Sequence, residues 1–142
     1  MSTLRELIVA RAEACLVGTT PAGANVFRSR EVSITRDLTP AIVVMAGDES
    51  CRRLGSFTDV HELPLNVEIF TRGDPWDLIA DPVAEVVHRV LVTDPVIQSY
   101  GADVRLTSKT PESQEADRTA GTLTCLYTIT YLAKAADGSA LL

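Results

Sequence analysis

Leu63-Pro64-Leu65-Asn66-Val67-Glu68-Ile69-Phe70, followed within a few residues by Asp74-Pro75-Trp76 and an apolar stripe running to Leu91, decides how this chain folds. Leu63, Leu65, Val67 and Ile69 alternate with Pro64, Asn66, Glu68 and Phe70, the period of a strand buried on one face. Asp74-Pro75 then reads as a helix start, with a carboxylate at the N-cap and proline at the first helical position. Trp76, Ile79, Ala80, Val83, Val86, Val87, Val90 and Leu91 follow at steps of one, three or four. Pro82 interrupts the hydrogen-bond pattern, yet the stripe keeps its phase across it. The expectation is one kinked helix over 75–92, with a break at Asp81 as the alternative. Asp94-Pro95 opens a short turn that closes near Gly101.

Outward from this strand–helix unit the chain supplies strands on both sides. Toward the N-terminus, Thr3-Leu4-Arg5-Glu6 matches a capping box, and Leu4, Leu7, Ile8, Ala12 and Cys15 share one helical face. With Gly18 as a left-handed stop, this predicts a helix over 4–16. Residues 18–24 are turn chemistry, 25–30 a short strand carrying Val26 and Phe27, and Ala41-Ile42-Val43-Val44-Met45 a strand buried on both faces. Toward the C-terminus, 102–110 alternates weakly. In 122–133, Leu123, Cys125, Tyr127, Ile129 and Tyr131 alternate with threonines. The order is helix, three strands, helix, two strands. Strands grouped this way predict an α+β fold, a mostly antiparallel sheet of about five strands with two main helices packed on it. One domain over 1–142 is expected, with its core in about 4–133 and an unpatterned, mobile tail at 134–142.

The chain has 142 residues, 46% of them apolar and 23% charged, ordinary globular proportions. Thirteen Lys and Arg against nineteen Asp and Glu leave a net charge of −6, the wrong sign for gripping nucleic acid through phosphates. All basic residues but Lys109 and Lys134 are arginine, a side chain favoured at protein–protein contacts. No apolar run approaches the ~18 residues that cross a bilayer. Cys15, Cys51 and Cys125 lack metal-knuckle or redox spacing, and an odd number of them reads as free thiols in a reducing cytosol. A soluble, intracellular protein is expected.

Two connections read as unusually long. Residues 48–61 hold Arg52, Arg53, Leu54 and Phe57, the residue types enriched where proteins meet. Residues 111–119 are acidic, with Glu112, Glu115 and Asp117. Leu78 projects from the charged face of the second helix, beside Asp81, Glu85 and Arg89. These eight residues are the candidate interface, and the two connections could supply opposite charges to a contact between subunits.

Signals for chemistry are sparse. No phosphate-cradling glycine loop or HExxH motif occurs, and two histidines with three scattered cysteines do not predict a metal site or any cofactor. Cys51 with His61 could be a nucleophile and base, but both fall on the long connection. The expected reading is an exposed thiol beside an unrelated imidazole. His88 reads as a boundary residue, and Trp76, Tyr127 and Tyr131 as core. Alternatives are a small α+β hydrolase or isomerase using a His/acid pair, or a peptide- or ligand-binding module.

As a whole, the pattern resembles the tail terminator proteins of long-tailed bacteriophages and the related tail-completion, or head–tail joining, proteins. The resemblance runs from about Leu4 to Ala133. Its carriers are the first helix leading to Val26-Phe27-Arg28-Ser29-Arg30, the segment Leu38-Thr39-Pro40-Ala41-Ile42-Val43-Val44, the helix Asp74 to Leu91, and the strand Tyr127-Thr128-Ile129-Thr130-Tyr131. The resemblance implies a structural protein without catalytic residues. It implies a hexameric ring that caps the completed tail tube, stops its growth and presents a surface to the head-completion or connector protein. DNA would only pass through the lumen, where an acidic wall limits sticking. The implied location is the cytoplasm of a bacterial host during assembly, then the virion tail.

Overall fold

The computed structural model describes residues 3–29, 38–113 and 119–137. The chain is α+β, with helices on one face of a six-stranded mixed sheet. In chain order the elements are α1 (Leu4–Leu16), β1 (Val26–Arg28), β2 (Ala41–Ala46), β3 (Ser50–Leu54), β4 (Thr58–Arg72), α2 (Trp76–Thr93), α3 (Pro95–Ser99), β5 (Asp103–Ser113) and β6 (Ala120–Lys134). The sheet order is β1-β2-β4-β6-β5, with β3 also paired to β4. Among the described residues, only β1 with β2 is a parallel pair.

β4 and β6 form the spine, paired along fifteen residues each from Thr58↔Lys134 to Arg72↔Ala120. The alternation is realised as expected. Leu63, Leu65, Val67 and Ile69 of β4 and Cys125, Tyr127, Ile129 and Tyr131 of β6 are buried within the core cluster. Against them lie Ala80, Val83, Ala84, Val87 and Leu91 of α2 and Leu4, Ile8, Val9, Ala12 and Leu16 of α1. α2 is a single helix, and Pro82 stands on its exposed side. None of the helices is long and apolar enough to cross a membrane, among the described residues.

Four expectations need correction. The connection 48–61 is not a loop: β3 and the start of β4 form a tight hairpin about Gly55-Ser56-Phe57, and Gly55 takes the left-handed φ of +72° that the turn requires. This raises the strand count to six. The connection 111–119 is shortened, because β5 continues through Glu112 to Ser113. α2 begins one residue late, with Pro75 at the cap after a cis Asp74–Pro75 peptide and no side-chain cap. The capping box at Thr3 is half formed. Thr3 Oγ1 accepts from Glu6 N at 3.2 Å, but the Glu6 carboxylate turns away to accept from Arg28 Nη1 and Nη2, at 2.6 and 2.7 Å. A bidentate charged partner outcompetes one backbone amide. At the other end, β6 includes Lys134 and a turn follows to Asp137; residues 138–142 of the expected tail lie outside the described residues.

A bulge explains how proline sits in a central strand. Ala46 pairs with Leu65 and Ser50 with Glu62, so Gly47, Asp48 and Glu49 oppose only Leu63 and Pro64. Gly47 N donates to Pro64 O at 2.8 Å. Pro64 has no amide hydrogen to offer on that side, and the bulge is where the ladder does not ask for one.

Candidate functional site

The candidate interface residues fall at opposite ends of the β4–β6 spine. Arg52, Arg53 and Leu54 are exposed on β3, and Phe57 stands in the adjoining turn with 81% of its surface free. The turn is held from behind, since Ala135 N donates to Phe57 O at 2.8 Å. An apolar ring is thus presented on fixed backbone, beside an open groove of about 580 Å³ that Arg53, Phe57, Lys134 and Ala135 help to line. Arg53 is not a free charge for a partner, because its Nε donates to Asp59 Oδ1 at 2.7 Å within the hairpin. Arg52 is exposed.

At the far end, the first turns of α2 approach β5 and β6. Leu78 is 69% exposed and borders a second open groove of about 500 Å³, with Trp76, Pro111 and Leu123 as its apolar walls and Asp77, Asp81 and Lys109 as its charged lining. Glu112 is exposed on β5 at the same end. Glu115 and Asp117 lie outside the described residues. Fifteen strand residues at about 3.3 Å each separate the two ends by about 45 Å. Arg52 and Glu112 therefore lie toward opposite ends of the sheet.

A third feature was not expected. Cys51 and His61 are register partners across β3 and β4, and His61 in turn pairs with Tyr131 of β6, so the three form a row across the sheet. The bulge brings Glu49 over this row. His61 Nδ1 lies 3.0 Å from Glu49 Oε2 and 3.1 Å from Cys51 Sγ, and Cys51 Sγ is 3.8 Å from the same oxygen. Tyr131 donates its hydroxyl to Glu49 Oε1 at 2.9 Å, and Arg5 Nε of α1 stands 3.9 Å from that oxygen. The His61 and Tyr131 rings stack at 4.7 Å and 8°. The imidazole and thiol are thus neighbours in a rigid hairpin, not the unrelated pair the sequence reading expected.

The arrangement differs from a Cys–His–acid triad. In a triad the base uses one ring nitrogen for the nucleophile and the other for the acid. Here thiol and carboxylate meet the same atom, Nδ1. Desolvation and then the Glu49 carboxylate raise the Cys51 thiol above its ordinary value, which disfavours the nucleophilic thiolate. The other cysteines are buried, and burial pushes the Cys15 thiol up to about 11. His88 is half-buried, its Nδ1 3.3 Å from the hydroxyl of fully buried Tyr127.

Glu49, Tyr131 and Arg5 were missed as partners of this cluster. One signal was available: Cys51 and His61 stand symmetrically about Ser56, so a hairpin centred there must pair them. Neither a protein-family model nor a curated protein sequence matches this chain.

Proposed function

We propose that this chain is a structural tail terminator of a long-tailed phage or prophage, acting without catalysis. In this reading six copies close into a ring on the finished tail tube, block further tube subunits and offer their outer surface to the head-completion or connector protein. The ring forms in the bacterial cytoplasm and remains in the virion tail.

The supporting observation is the pair of unlike surfaces about 45 Å apart on one rigid spine. Closed rings need a heterologous contact, in which one patch of a subunit meets a different patch of the next. A protruding Phe57 beside Lys134 suits in shape the open groove walled by Trp76, Pro111 and Leu123 and rimmed by Asp77, Asp81 and Lys109, two acids against one base. The hairpin tip of one copy therefore docks against the α2–β5 end of its neighbour. Strand addition to the β5 edge is less favoured. The exposed β5 edge is broken by a register shift between Leu106 and Ser108 and carries Lys109 and Pro111, features that discourage pairing with another chain.

Two measurements test the reading. Tails assembled without the protein should be overlong in electron micrographs; tubes of normal length in its absence would reject the terminator role. Separately, Phe57→Ala or Leu78→Glu should weaken self-association by about thirtyfold, the effect of losing one well-buried aromatic or aliphatic anchor, with the folded state unchanged. Light scattering over a range of concentrations reads this directly, and an unchanged association constant in both variants refutes the head-to-tail contact.

A further inference from the structure

We propose that Glu49, Cys51 and His61 form a binding site for one divalent transition-metal ion, with zinc the metal that best suits these donors. The inference stands apart from the terminator reading, and its failure would leave that reading untouched.

The first argument is convergence. Cys51 Sγ, His61 Nδ1 and a Glu49 carboxylate oxygen all lie within 4.8 Å of one another. Zinc bonds of about 2.0–2.3 Å in tetrahedral arrangement require donors about 3.3–3.8 Å apart. The separations of 3.0, 3.1 and 3.8 Å span that requirement within a few tenths of an ångström. A thiolate, an imidazole and a carboxylate together match a borderline-soft ion better than calcium or magnesium, which take oxygen donors.

The second argument is the division of labour on Glu49. Oε1 accepts from Tyr131 and faces Arg5, whereas Oε2 is the oxygen turned toward the imidazole and thiol. The carboxylate is oriented from behind, as metal-bound carboxylates are, and one oxygen is left for the ion. Stacking on Tyr131 fixes the His61 ring in the same way. The bulge at Gly47–Glu49 has a role in this account: without its extra residue, Glu49 would not reach across to the Cys51–His61 pair.

Binding replaces the Cys51 S–H bond by a sulfur–metal bond and releases the proton to solvent. Cys51 is exposed, so water can complete the coordination from outside. β3 is attached to the sheet through β4, and a bond from Cys51 through the ion to His61 would lock the hairpin that carries Phe57.

The test uses the full chain, freed of metal by a chelator, kept reduced and titrated with cobalt(II) as a spectroscopic probe. A thiolate-to-cobalt charge-transfer band should saturate at one equivalent and disappear when one equivalent of zinc is added. Cys51→Ser should abolish the band, and His61→Gln should weaken cobalt binding at least about a hundredfold. Tyr131→Phe should weaken it by about tenfold while keeping the band. Cys51 is exposed, so its serine variant remains folded, as far-ultraviolet circular dichroism would verify, and it decides the matter if His61→Gln does not fold. Absence of a band at stoichiometric cobalt, or a band that survives in Cys51→Ser, overturns the proposal.

Discussion

Gly121→Ala is expected to destabilise the protein by about 3 kcal/mol, because a methyl group there has no room. Gly121 is buried in β6 beneath the indole of Trp76, and a Cβ would sit 2.1 Å from Trp76 Cε2 and 2.2 Å from Cδ2. The indole is itself only 9% exposed, closing the space between the start of α2 and the sheet, so it can yield only by disturbing that packing. For a domain of this size the melting temperature should fall by about 10 °C. Gly73→Ala supplies the control. Its Cβ would lie 1.9 Å from Ile79 Cδ1, a closer approach on paper. Ile79 is 41% exposed and its end can rotate away, so less than about 1 kcal/mol is expected. Urea denaturation of both variants checks the contrast, and equal losses would defeat the explanation from confinement.

Asp94→Ala is expected to cost about 2–3 kcal/mol. Asp94 is 5% exposed and performs two tasks at the α2–α3 junction. Its side chain caps α3 by accepting from Ile97 N at 2.9 Å, worth about 1 kcal/mol. It also receives Arg11 of α1 through Nη2 and Nε, at 2.7 and 3.0 Å, tying together segments 83 residues apart. Losing one partner of a buried pair costs about 3–5 kcal/mol. Here the pair contributes less, about 1–2 kcal/mol, because the Arg11 side chain is 34% exposed and water can take over its donors. Asp94→Asn keeps the cap but loses the charge, so it should fall between the wild type and the alanine variant.

The same pair predicts a pH dependence. The hydrogen bond from Arg11 holds the Asp94 carboxyl below its ordinary 3.8. A lowered folded value means the native state binds fewer protons than the unfolded chain, so the contribution is complete above about pH 5. It is lost as the pH falls through the lower native value. Denaturation between pH 5 and 2 should therefore show a shallower acid decline in Asp94→Asn than in the wild type, and parallel declines would remove Asp94 from the account.

By itself the sequence determined the elements whose cause is local. The helices at Leu4–Leu16 and Trp76–Thr93 were legible because apolar residues recur every three or four positions, even across Pro82. The spine strands were legible because Leu63 to Ile69 and Leu123 to Tyr131 alternate. The exposed interface candidates were legible as residue types, but not their separation to opposite ends of the sheet. β3 escaped because its five residues are all exposed and so carry no alternation. Only the tertiary structure decided the parallel pairing of β1 with β2, the Arg11–Asp94 and Arg28–Glu6 pairs, the seat of Trp76 on Gly121, and the meeting of Glu49 with Cys51, His61 and Tyr131. The physical reason is common to all of these. Periodicity records which face of an element is buried, a property of neighbours along the chain, whereas bulges, ion pairs and close packing depend on which distant segment arrives opposite.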